Sequence, residues 1–164
     1  MRSSLGIRWG SHLPVLIQLM DKTAGDVLEL GTGVFSTPYL HYACMLQGRK
    51  LVSYENDPEY YEANLGYQNI KGDHTVSFVD DWSKIPIEKK WDIAFIDVLP
   101  EIERKELARR LKDCATYVVL HDAQNKWEET YQYSEIYPLF KYKFFYKPFW
   151  PKTAILSNFK EIRL

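Results

Sequence analysis

"VLELGTGVFSTPYL", residues 27–40, runs from apolar residues through a lone acid and two glycines into a segment that reads as a helix. "DVLELG" (26–31) is a short leucine and β-branched run closed by Gly, which predicts a buried strand. "STPYLHYACMLQ" (36–47) predicts a helix with Ser36 as N-cap and Pro38 in its first turn. Gly31 and Gly33 then occupy a strand-to-helix turn. Without a Cβ they can take positive φ or let another molecule approach the backbone. The helix start beyond them offers unpaired N–H groups and a partial positive charge. Such a turn can cradle a phosphate, or a carboxylate and a ribose.

The same alternation continues along the chain. "KLVSYE" (50–55), "TVSFVD" (75–80), "WDIAFID" (91–97) and "ATYVVLHD" (115–122) read as strands. "DPEYYEANLGY" (57–67) reads as a helix capped by Asp57 with Pro58 at its first position. "EIERKELARRLK" (101–112) is a helix with acids early and bases late, and another helix is expected over much of 125–138. "YKFFYKPFWPKTAILSNF" (142–159) reads as two strands joined near Pro148 and Pro151, hence an antiparallel pair. Strand–helix alternation implies a mostly parallel sheet with helices on both faces. The expected class is α/β: a three-layer α-β-α sandwich on a seven-stranded sheet ending in an antiparallel hairpin.

Composition narrows the setting. At 164 residues, 46% of them hydrophobic, one packed domain over 1–164 is expected, with a helical N-terminal segment about 1–24. The charge of -1, from 21 basic and 22 acidic residues, shows no basic excess that would announce nucleic acid. "LPVLIQLM" (13–20) is followed by "DKTAGD" and no small-residue cleavage site, so it reads as a helix. Residues 30–48 lack charge but are too polar for a membrane span. Cys44 and Cys114 are far apart and read as buried small apolar residues. The expectation is a soluble, cytoplasmic protein without a membrane partner.

Acids mark successive strand ends: Glu55, then Asp80 and Asp81 before Trp82, then Asp97. An acid at the second strand end can accept two hydrogen bonds from a ribose. The dinucleotide fingerprint wants a third glycine, and Ser36 stands in its place. The series opened by "ELGTGVFST" resembles the class I S-adenosylmethionine-dependent methyltransferases, over almost the whole chain. That resemblance implies S-adenosylmethionine as cofactor. On it, Glu29, Gly31, Thr32 and Gly33 would line the methionine and ribose part, and Glu55 would hold the ribose. Asn56 would border the adenine, Asp81 and Trp82 would contact it, and Asp97 would lie near the transferring methyl.

"HDAQN" (121–125), at the fifth strand end, carries the candidate proton acceptor. His121 ordinarily titrates near neutrality, with Asp122 to orient it or to accept a proton itself; Asp122 could equally cap the following helix. With Asp97 these form the expected catalytic set. The less favoured arrangement makes Asp97, His121 and Asp122 ligands of a divalent metal such as magnesium. "RWGSHLPVL" (8–16) is expected to be a packing helix capped by Ser11; Trp9, Ser11 and His12 could also reach the site. The aromatic-rich last third is expected to serve core and homo-oligomer contacts more than a substrate pocket. The reading is methyl transfer to an oxygen or nitrogen of a small molecule. The alternatives are an NAD(P)-binding oxidoreductase and a non-catalytic methyltransferase-like subunit.

Overall fold

The computed structural model describes residues 7–70 and 72–164; residues 1–6 of the expected N-terminal segment lie outside the described residues. Seven strands form one sheet: β1 (Val27–Leu30), β2 (Leu51–Glu55), β3 (His74–Phe78), β4 (Trp91–Ile96), β5 (Ala115–Leu120), β6 (Tyr142–Tyr146) and β7 (Thr153–Ser157). Their order is β3-β2-β1-β4-β5-β7-β6. β1 to β5 pair in parallel, β7 runs antiparallel to β5, and β6 pairs antiparallel to β7. Six strands therefore point one way and β7 opposes them, as the sequence predicts.

Period-two alternation sends each central strand's side chains to two apolar layers. Leu28, Leu30, Ala94, Ile96, Val118 and Leu120 pack on one face, against Leu107, Ala108 and Leu111 of helix α4 (Glu103–Leu111). Val27, Ile93, Phe95 and Val119 pack on the other. There they meet α1 (Leu13–Lys22) through Leu16 and Leu19, and α2 (Ser36–Gln47) through Leu40 and Cys44. Helix α3 (Pro58–Leu65) starts where expected: the Asp57 carboxylate accepts from the Glu59 and Tyr60 amides, with Pro58 in the first turn. No helix among the described residues is long and apolar enough to cross a membrane.

Four local expectations are corrected. Ser36 does not cap α2; Phe35 holds that position without a side-chain bond. Ser11 does not cap α1 either, because its hydroxyl is drawn to His121 instead. The helix expected over 125–138 is broken into single turns around α5 (Glu128–Tyr131). Gln132 takes φ +51 there, and the buried Tyr131, Tyr133, Ile136 and Phe140 follow no helical period. Cys44 is buried, its thiol pushed up to about 12 by burial, but Cys114 is only partly buried.

The parallel register places Leu30 beside Tyr54 and Ile96, and Ile96 beside Leu120. The next residue on each strand is Gly31, Glu55, Asp97 and His121. The ladder runs on into this row: Gly31 N–H donates to the Tyr54 carbonyl at 2.9 Å and Asp97 N–H to the Leu30 carbonyl at 2.8 Å. Two carboxylates, a glycine and an imidazole thus stand side by side at the carboxyl edge, where the chain order reverses between β1 and β4.

Candidate active site

A cleft of about 490 Å³ opens at this edge. One half is lined by the turn Gly31–Ser36 with Glu55, Asp57 and Tyr60, the other by Asp97, Arg104, His121 and Asp122. Trp9, Trp127 and Trp150 form its rim with Lys126, whose ammonium lies 5.1 Å and 5.5 Å from the Trp127 and Trp150 rings. Burial in this last third is divided: Tyr131, Tyr133 and Phe140 are core residues, while Trp127 and Trp150 face the cleft.

Gly31 has φ +87, and a Cβ there would lie 2.4 Å from the Asp97 carbonyl oxygen. Its missing side chain is required by the neighbouring strand end. Gly33 differs: the nearest atom to a Cβ would be Ser36 Oγ at 3.5 Å, an ordinary contact. Gly33 keeps the cleft open without being forced by the backbone. Among the described residues no acceptor faces the Val34 and Phe35 amides, whereas the Gly33 amide donates to Thr37 Oγ1 at 2.9 Å.

Two acids act inside the protein. Glu29 is fully buried beneath the turn and does not line the cleft. It accepts from Thr37 Oγ1 at 3.0 Å and from Ser53 Oγ at 2.6 Å, and so braces the turn from behind. Burial, only partly offset by these hydroxyls, raises its pKa to about 7. Glu55 lines the cleft, but both its oxygens already have partners. Oε2 accepts from Thr32 N at 2.6 Å and Thr32 Oγ1 at 3.0 Å; Oε1 accepts from the Asn56 and Asp57 amides, each at 2.8 Å. A ribose hydroxyl must therefore share Glu55 with the loop it staples. The Thr32 hydroxyl is the bond that can yield, since the Tyr60 carbonyl stands 3.5 Å away as an alternative acceptor.

The expected adenine contacts are not brought together. Asp81 caps a short turn through Ser83 and pairs with Lys84. Trp82 is buried in the core, its indole N–H donating to the Leu99 carbonyl at 3.0 Å. The Asn56 side chain does not line the cleft, and its buried Oδ1 has no partner. Asp57, the α3 cap, and Tyr60 in the first turns of that helix line that side instead.

The far half is a compact charged cluster. Asp97 Oδ1 meets Arg104 at 2.8 Å and Oδ2 meets His121 Nδ1 at 3.1 Å. Asp122, at φ +59, accepts from Arg104 at 3.2 Å and from the Tyr131 hydroxyl at 3.2 Å. His121 Nε2 lies 3.0 Å from Ser11 Oγ, and the Tyr133 hydroxyl donates to the His121 carbonyl. Burial alone would raise Asp97, but His121 and Arg104 outweigh it and hold the carboxyl well below the usual range. Burial opposes a charge on His121, yet Asp97 overcomes it and raises the imidazole. His12 packs edge-on against His121, with ring centroids 4.8 Å apart; burial and the His121 charge lower it to about 3.

Arg104 was missed by sequence reading, though a signal was present. It falls on the stripe 104, 107, 108, 111 of α4, where the other three residues are apolar core. A charge on the buried face of a helix calls for a buried counter-charge.

No protein-family model and no curated protein matches the chain. Solved structures do. The S-adenosylhomocysteine-bound methyltransferase PaMTH1 from Podospora anserina aligns at TM-score 0.68 and 9% identity, covering 96% of this chain and 81% of that one. Cofactor-bound Rv0187 from MTB aligns at 0.67 and 18% identity, covering 98% and 84%. A methyltransferase from Pyrococcus furiosus aligns at 0.60 and 16% identity, covering 90% and 83%. With the strand order above, the chain has the class I methyltransferase fold. Identities this low speak for the fold alone.

Proposed function

We propose that this protein binds S-adenosylmethionine in the cleft and transfers its methyl group to an oxygen or nitrogen of a small molecule. The observation that carries the reading is the charge of the lining. Glu55, Asp57, Asp97 and Asp122 face the cleft against Arg104 and Lys126, and Arg104 is already shared by two of the acids. Such a wall favours a sulfonium cation and repels the two phosphates of NAD. The Ser36 side chain in the place of a third glycine points the same way.

The residues fit the cofactor. Thr32, Gly33 and the free Val34 and Phe35 amides suit its carboxylate end at the start of α2. Glu55, Asp57 and Tyr60 suit the ribose and adenine side. Bound there, the cofactor supplies an electrophilic methyl. The protein must hold the acceptor in line about 3–3.5 Å from that carbon and give its proton a destination. The Trp127–Trp150 rim holds an acceptor of modest size, and the His121–Asp97–Asp122 cluster at the cleft floor receives the proton. A cleft closed by short loops of the same chain favours a small-molecule acceptor.

Calorimetry on the full chain tests this. Binding of S-adenosylmethionine and S-adenosylhomocysteine at about 1–100 μM is expected, near -8 to -5 kcal/mol, with no heat from NAD. Binding of NAD in preference to both sulfur ligands would reverse the assignment.

A further inference from the structure

We propose that His12, Asp97 and His121 form a binding site for a divalent first-row transition cation at the floor of the cleft. The inference stands on these side chains and does not depend on methyl transfer. A donor atom from each lies within 4.8 Å of those of the other two, and all three residues line the cleft.

Three observations converge. The first is His12. It is 3% exposed, and both of its ring nitrogens are buried without a hydrogen-bond partner. Leaving such groups unmade is costly, and a ligand at one of them removes the cost at that nitrogen. The second is the bite between His121 and Asp97. Nδ1 and Oδ2 stand 3.1 Å apart. Two ligand atoms held about 2.1 Å from one ion at a right angle are about 3 Å apart. An imidazole nitrogen facing an ionised carboxylate needs a cation between them. A proton serves in the bare protein; a metal serves once His12 joins, with closure of about 1.5–2 Å from the present 4.8 Å spread.

The third is the surrounding shell. Ligating histidines commonly donate the other ring N–H to a fixed acceptor. His121 Nε2 has Ser11 Oγ at 3.0 Å, which leaves Nδ1 for the ion. Asp97 directs only Oδ2 inward, because Oδ1 is held by Arg104 at 2.8 Å. Arg104 is itself shared with Asp122, so Asp97 is not its sole counter-ion. Asp122 does not join the three in one cluster of donor atoms, and its Oδ2 is engaged by Arg104 and by the Tyr131 hydroxyl. Two imidazoles and one carboxylate select zinc, iron, cobalt or manganese over magnesium, which prefers oxygen ligands. The less favoured magnesium arrangement of Asp97, His121 and Asp122 gives way in this proposal to a nitrogen-richer set. Positions not used by the protein face the cleft, open to an acceptor hydroxyl.

The test uses chelator-treated full-length protein titrated with cobalt(II) alone. One equivalent should bind, with a visible absorption band from nitrogen and oxygen ligands, and magnesium should not compete. His12→Gln should weaken binding at least about tenfold, as should Ser11→Ala through its bond to the ligand; Asp81→Asn, at an exposed turn, should not. A measurement without variants guards against misfolding. The chain has four histidines. Added cobalt should shift or broaden the ring signals of His12 and His121 and spare His41 and His74. Absence of stoichiometric binding, unchanged affinity in folded His12→Gln, or equal effects on all four rings would overturn the site. Because S-adenosylmethionine binding is read separately, failure here leaves the proposed function standing, and the reverse holds too.

Discussion

Gly31 and Gly33 look alike in the sequence and do different work in the fold. Gly31 combines φ +87 with the Asp97 carbonyl in the space a Cβ would occupy. Gly31→Ala should destabilise the protein by about 2–4 kcal/mol through backbone strain and overlap, measured by urea unfolding. Gly33→Ala should stay within about 1 kcal/mol in the same assay but weaken S-adenosylmethionine binding, because its Cβ projects toward the cleft. Equal stability losses at both positions would refute the distinction. Glu29 supplies a pH prediction. Its pKa rises from 4.5 to about 7 on folding, so the folded protein keeps a proton that the unfolded chain releases. Stability from this group is full below 4.5 and is lost as pH rises through about 7, a change of about 3 kcal/mol. His74, lowered by burial and by His41 to about 4, acts oppositely and adds stability as pH rises from 4 to 6.5. Glu29→Gln removes only the first effect, and its stability should fall less than wild type between pH 6.5 and 8. An identical slope in the variant would show that Glu29 does not titrate there.

Among elements, the last strand has the position least expected from chain order. β7 inserts between β5 and β6, and all five of its residues are buried. Ile155 packs with Val119 and Phe95 on the α1–α2 face. Ile155→Ala should therefore cost about 2–5 kcal/mol, the range for a large-to-small change in a core. A loss below 1 kcal/mol would mean that the hairpin is an appendage. Helix α4 shows how an element serves both core and site: Leu107, Ala108 and Leu111 hold it on the sheet, and Arg104 on the same stripe reaches Asp97 and Asp122. The segment 125–138 gave up helical hydrogen bonds to bury Tyr131, Tyr133 and Ile136 at irregular spacing, and this delivers the tyrosine hydroxyls to Asp122 and the His121 carbonyl.

At the scale of the molecule, five tryptophans divide by location. Trp82 and Trp91 are buried in the core, while Trp9, Trp127 and Trp150 line the cleft. A ligand filling the cleft should quench or shift intrinsic fluorescence, and the change should shrink when Trp127 and Trp150 are replaced by Phe. A full response from that double variant would place the ligand elsewhere.

The sequence by itself determined the strands, their parallel arrangement, the closing hairpin and the row of polar residues at the strand ends. Period-two burial, glycine turns and Asp57–Pro58 capping are local or near-local signals, and they survive folding unchanged. Side-chain roles were decided only by the tertiary structure. Whether a strand-end acid faces a ligand, a loop or a helix depends on what the other strands bring beside it. Glu29, Glu55 and Asp97 are all acids at or near a strand's carboxyl end, yet one braces a turn from within, one staples a loop at the cleft wall, and one is held between Arg104 and His121. Ser11 and His12, more than a hundred residues from His121, join it because α1 packs over the edge of β4 and β5, a meeting no spacing along the sequence encodes.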